Sequence, residues 1–170
     1  KELPAGQLVA YTKPANAKEI AVKKPAAPKP KKVAAEPGQV DGAKWIWHAS
    51  PATSDQSRLR KSFEVKDLKQ AILHVTCDNG AQVFINGKLV VNNPDWHQPS
   101  RADITKHLKP GKNELRAEAR NTGGIGGFIA SLALKNKSGK ETKIQSDASW
   151  QAAAPKTEEW KAAVVLANYG

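Results

Sequence analysis

Six residues of this 170-residue chain carry side chains suited to holding a polyhydroxylated ring: Trp96, His97 and Gln98 in one segment, Asp78 and Asn79 in a second, and Asn121 in a third. An indole offers a flat apolar platform to one face of a pyranose, while carboxylate, amide and imidazole groups bond its hydroxyls in pairs. The competing reading makes Trp96 a plug folded back over the open end of a core, with Asp95 capping its loop. Catalytic chemistry has a weaker basis. His48, His74, His97 and His107 lack metal-site spacing, and Cys77 is the single cysteine, so neither a zinc cluster nor an internal disulfide is written here. Cys77 shares the parity of Leu73 and Val75 and reads as a small buried hydrophobe rather than a reactive thiol. Glu114 and Glu118 lie on one strand face about 13 Å apart, too far for a glycosidase carboxylate pair. No nucleophile elbow is present. The glycines of Asn121-Thr122-Gly123-Gly124-Ile125-Gly126-Gly127 lack the Lys-Ser/Thr ending of a phosphate loop, and predict a wide turn that lets backbone approach a neighbour. The chain reads as a non-enzyme.

Short strands must position these groups. In residues 78–91, Asn79-Gly80 and Asn86-Gly87 bracket alternating apolar positions, which predicts three antiparallel strands joined by tight hairpins, an all-β meander. The same pattern continues to the C-terminus, with strands expected at 57–65, 71–77, 81–86, 88–92, 101–105, 113–121, 127–135, 140–146 and 160–168, and Gly- or Pro-bearing turns between them. Eight or nine short strands favour a β-sandwich. Following their alternating direction gathers Asp78, Asn79, Asp95, Trp96, His97, Gln98, Asn121, Asp147 and Trp150 at one end, the upper one, and leaves mainly Lys, Gly and Pro at the lower. Trp45, Trp47, Trp150 and Trp160 sit beside strand patterns and are expected in the core. In 113–121, Leu115, Ala117 and Ala119 face one way and Glu114, Arg116, Glu118 and Arg120 the other. That charged ladder is either a solvated sheet face or the lining of a groove for sugar hydroxyls.

Residues 13–41 are dominated by Lys, Pro and Ala, with charge repulsion, extended proline geometry and little to bury; a disordered linker is expected there. Residues 1–12 read as a remnant of a preceding domain, and 42–170 as the folded domain. With no methionine in the chain, Lys1 is expected to follow a processed or excised upstream part. The formal net charge of +11 is shared along the chain: residues 1–40 hold eight Lys and three Glu, the rest nineteen Lys and Arg against thirteen Asp and Glu. Interspersed charges of this kind argue against a nucleic-acid face, and no apolar stretch is long enough to span a membrane.

Taken together, Trp45-Ile46-Trp47, Arg60-Lys61-Ser62-Phe63-Glu64-Val65, Asp78-Asn79-Gly80, Phe84-Ile85-Asn86-Gly87-Lys88, Trp96, Asp103-Ile104-Thr105, Leu108-Lys109-Pro110-Gly111-Lys112-Asn113, Ala119-Arg120-Asn121 and Ser146-Asp147-Ala148-Ser149-Trp150 resemble galactose-binding-like jelly-roll domains, of the type accompanying α-L-rhamnosidases and related secreted multidomain proteins. The resemblance implies a two-sheet antiparallel jelly-roll β-sandwich. It further implies a non-catalytic carbohydrate-binding or accessory module with a glycan or polysaccharide and an upstream domain as partners. A secreted, periplasmic or cell-surface location follows from the same likeness, as does a structural calcium held through Asp78, Asp95 or Asp147 with backbone carbonyls. The alternative it carries is a protein–protein interaction domain that binds no sugar.

Overall fold

The computed structural model describes residues 40–48 and 55–168; the expected linker and domain remnant, up to residue 39, lie outside them. Among the described residues twelve strands form two six-stranded antiparallel sheets packed as a sandwich: β1 (Lys44–Trp47), β2 (Asp55–Val65), β3 (Leu68–Asp78), β4 (Gly80–Ile85), β5 (Lys88–Asn93), β6 (Ser100–Asp103), β7 (Gly111–Asn121), β8 (Gly127–Asn136), β9 (Glu141–Gln145), β10 (Gln151–Ala153), β11 (Lys161–Ala162) and β12 (Val164–Asn168). One sheet runs β12-β1-β8-β3-β6, with β9 also paired to β8; the other runs β11-β10-β2-β7-β4-β5. The two-sheet architecture expected from the turn spacing is the one observed.

Alternation decides what is buried. Leu59 and Phe63 of β2, Leu73, Val75 and Cys77 of β3, Val83 and Ile85 of β4, Leu115 and Ala117 of β7, and Phe128 and Leu132 of β8 all point between the sheets. Each large aliphatic side chain so buried contributes about 1.5–3 kcal/mol. Trp47 and Trp150 join this core as expected, with Trp150 packed 5.8 Å, centroid to centroid, from Phe128 and its Nε1–H donated to the Gln145 carbonyl at 2.8 Å.

Three local expectations are corrected. Asn86-Gly87 makes the anticipated hairpin, both residues at positive φ, between β4 and β5. Asn79-Gly80 does not. Strands β3 and β4 belong to opposite sheets, so the chain crosses the sandwich there instead of folding back, and neither residue has a positive φ. Gly80 is needed for space: a Cβ would stand 2.9 Å from the Asn93 carbonyl oxygen. The expected strand at 160–168 is divided, β11 completing one sheet and β12 the other, with buried Ala163 at the crossing. The strand expected at 101–105 stops at Asp103, where Asp103 Oδ1 accepts from Thr105 N and Oγ1 and a short 3₁₀ turn, Thr105–His107, follows.

Motifs at the lower end hold the turns together. Asn113, buried at the start of β7, accepts from Lys109 N and Asn86 Nδ2 and donates to the Lys109 and Gly111 carbonyls. Thr105 Oγ1 accepts from Ala71 N, tying the 3₁₀ turn to β3.

Candidate functional site

At the upper end the loops after β3, β5 and β7 converge, as strand direction predicted. Asn79 Oδ1 accepts from Thr122 N at 2.6 Å and Thr122 Oγ1 at 2.7 Å, and Asn79 N donates to the Arg120 carbonyl at 2.7 Å. Thr76 Oγ1 donates to the Trp96 carbonyl at 2.8 Å, anchoring the β5–β6 loop over β3. Between these segments lies a cleft of about 360 Å³, lined by Trp45, Asp78, Trp96, Ile125, Leu166 and the Gly126–Gly127 backbone.

The six candidates divide within this arrangement. Asp78 and Trp96 line the cleft, and Trp96 is 41% exposed, so it is not a core plug. His97 stacks against Trp96 with ring centroids 3.9 Å apart, and its Nδ1 and backbone N each lie 3.0 Å from Asp95 Oδ1. Asp95 therefore caps its own loop, fixing the His97 ring and through it the Trp96 face. Gln98 donates its N–H to the Asp95 carbonyl and its own carbonyl accepts from Asn93 Nδ2, so its backbone closes the same loop. Asn121 is buried, accepting from Gly123 N and donating to the Gly124 carbonyl. Asn79 and Asn121 thus build the loops, and neither lines the cleft.

Loss of solvation raises the Asp78 carboxyl above its usual value, and the neighbouring His97 partly offsets this. Asp147 and Trp150, expected at this end, lie elsewhere. Asp147 accepts from Ser149, whose hydroxyl and carbonyl also take Lys61 Nζ, so this loop sits along the flank beside β2, and Trp150 is in the core. Among the described residues no group of three or more His, Cys, Asp or Glu side chains gathers at a metal-binding distance.

Sequence reasoning missed Trp45, Ile125 and Leu166. Trp45 and Trp47 would share a face in a regular strand, yet Ile46 and Trp47 are both buried in the main core, while Trp45 is half-buried against a smaller cluster of Val40, Ala43 and Ile129. Opposite Trp45 and Ile46 the partner strand β12 is bulged, with Leu166 as its extra residue between Ala167 and Val165. The glycine at 127 accommodates the Trp45 ring, since a Cβ there would stand 2.9 Å from Trp45 Cε3. Trp160 is likewise outside the core. It is half-buried under the guanidinium groups of Arg60 and Arg58, at 4.1 and 5.2 Å from the ring centroid. Ile125, 74% exposed, was legible as the one apolar residue in a glycine loop.

No family model matches the chain. An α-L-rhamnosidase of Streptomyces avermitilis is 31% identical over 159 aligned residues, an alignment taking in 79% of this chain and 15% of that protein. Its crystal structure, complexed with L-rhamnose, superposes with a TM-score of 0.69 over 85% of this chain and 16% of its own. This domain is homologous to a segment of α-L-rhamnosidases. The native rhamnosidase of Aspergillus terreus gives a TM-score of 0.62 at 25% identity, over 70% of this chain and 17% of that one. The lectin of Pleurotus ostreatus, at 20% identity, shares the fold with a TM-score of 0.70 over 82% of this chain and 45% of its own. This chain thus spans about a sixth of the length of the much longer Streptomyces enzyme, the size of an accessory β-sandwich. No helix among the described residues is long and apolar enough to cross a membrane.

Proposed function

We propose that this rhamnosidase-homologous domain is a non-catalytic carbohydrate-binding module of an exported multidomain protein, which holds a terminal sugar in the upper cleft. The single observation that carries the reading is the pairing of a half-exposed indole, Trp96, with the partly desolvated carboxylate of Asp78 in one apolar cleft. A pyranose stacks its C–H face on the indole while Asp78 accepts from its hydroxyls. The mixture of Trp45, Ile125 and Leu166 with a single acid suits a deoxy sugar, which presents a methyl group beside hydroxyls. L-Rhamnose, the sugar in the Streptomyces homologue's complex, has that character. Binding here raises the local concentration of an attached enzyme on its glycan.

A second reading, a docking domain that binds no sugar, draws on the exposed valines of edge strand β12, Val164 at 41% and Val165 at 37%. A glycan array of the full chain in calcium-containing buffer, run beside Trp96→Ala, separates the two. Rhamnose-terminated glycans retained by the parent chain and lost roughly tenfold or more in the variant support the module. Silence across neutral and acidic glycans sinks it in favour of docking.

A further inference from the structure

The outward face of the second sheet carries a second, larger cleft, of about 430 Å³, which runs from Gln56 to Pro94 at the start of the β5–β6 loop, whereas Trp45 belongs to the first sheet. Register assembles it. Arg58 of β2 pairs with Glu118 of β7, Glu118 with Gln82 of β4, and Gln82 with Asn92 of β5, so one row of four polar side chains crosses four adjacent strands. The row above it is Gln56, Arg120 and Gly80. Neighbouring strands are about 4.8 Å apart, a spacing close to that of successive pyranose rings in an extended chain. Such a row therefore meets a polysaccharide laid across the strands ring by ring.

In these two rows Gln82, Asn92 and Arg120 are available. Among the described residues the side chains of Gln82, Asn92 and Arg120, all exposed, are held by no hydrogen bond or ion pair. Nε and Nη2 of Arg58 are buried without a partner there, although its Nη1 lies 3.4 Å from Glu158. Gly80 opens the floor. A Cβ at that position would stand 3.3 Å from Arg120 Nε, so the guanidinium lies along the gap the glycine leaves. Glu118 bonds Arg116 at 3.2 Å, and Arg116 lies over the Phe84 ring. Beyond Arg58 and Arg60, Trp160 closes the far side beneath their guanidinium planes. The upper cleft has two indoles and one acid; this face has planar amides and four arginines, Arg58, Arg60, Arg116 and Arg120, with Glu114 and Glu118 on the same face of β7 and Glu158 beside Arg58.

We infer that this face binds an extended polysaccharide bearing uronate carboxylates, with Arg120 forking a carboxylate and Gln82 and Asn92 bonding ring hydroxyls. An unpaired guanidinium matches the two oxygens of a carboxylate, and amides match vicinal hydroxyl pairs. The domain then holds a chain on its sheet face and a sugar terminus at its upper end by separate chemistries. The inference stands on the sheet register and does not depend on what the upper cleft takes.

Isothermal titration of the full chain with a galacturonate oligomer, a neutral cello-oligomer of equal length and polyglutamate tests it, using Arg120→Gln, Gln82→Ala and Trp96→Ala with folding checked by circular dichroism. The expected result is binding of the uronate oligomer alone, weakened roughly tenfold by Arg120→Gln and less by Gln82→Ala. Trp96→Ala leaves it unchanged. Equal binding of polyglutamate, insensitive to Arg120→Gln and Gln82→Ala, would show diffuse charge attraction and overturn the inference. Equal binding of the neutral oligomer would remove the carboxylate requirement, and loss in Trp96→Ala would move the ligand to the upper cleft; either overturns it as well.

Discussion

At the scale of the residue, the side chains named first for their chemistry split by how many hydrogen bonds the fold asks of them. Asn79 and Asn121 spend their amides on the 121–127 loop, whereas Asp78 and Trp96 stay open to the cleft. The distinction was invisible in residue type, because an amide that builds a loop and one that binds a ligand look alike in sequence. Asp78 makes a testable difference in pH. Its folded pKa is raised, so the folded chain holds that proton more tightly than the unfolded chain. The ionised form is thus a small cost to folding that vanishes below the unfolded pKa. As an acceptor it is lost on protonation, so glycan binding in the cleft is expected to weaken with falling pH sooner than an ordinary carboxylate would dictate. In Asp78→Asn the binding that remains is expected to be flat across the same window; titration at stepped pH reads both. Cys77 was legible outright from its parity. Burial pushes its thiol up to about 12, and it is expected to ignore a thiol reagent until denaturant unfolds the chain, which a timed labelling assay follows.

At the scale of the element, alternation was the dependable signal and turns were not. Strand β7 shows it: Leu115, Ala117 and Ala119 are buried, with Glu114, Arg116, Glu118 and Arg120 turned outward, as the residue pattern alone predicted, while Asn113 and Asn121 continue the buried face where the pattern gave no sign. Asn86-Gly87 and Asn79-Gly80 look equivalent in sequence, yet one is a hairpin and the other a crossing between sheets. A dipeptide encodes that the chain turns; which strand receives the next segment is decided by the hydrogen bonds of β4 to β7, beyond its reach. The Leu108–Asn113 motif is explained by one side chain. Asn113→Ala removes four bonds that satisfy the turn, and is expected to destabilise the fold by about 2–3 kcal/mol through unpaired backbone groups. Urea unfolding with an unchanged slope would measure it.

At the scale of the whole molecule, the chain brings its late strand β12 beside its early strand β1, Ala167 opposite Trp45, so that the upper cleft has walls from both ends of the described domain. Leu166 serves the core and the cleft at once. Truncation after Ala163 is therefore expected to cost on the order of 2 kcal/mol or more, seen as a lower thermal midpoint, and to weaken glycan binding in the cleft. Leu166→Ala separates the effects, with a smaller stability loss and a comparable loss of binding. By itself the sequence determined the fold class, the parity of the core strands, the inert thiol and the end of the sandwich where Asp78 and Trp96 would meet, because period-2 burial and strand direction are local properties carried along the chain. Only the tertiary structure decided that Trp45 leaves the core, that Asn79 and Asn121 are spent on loops, and that Arg58, Glu118, Gln82 and Asn92 stand in one row. Those outcomes depend on pairing and register between strands distant in sequence, and no residue's own neighbours record them.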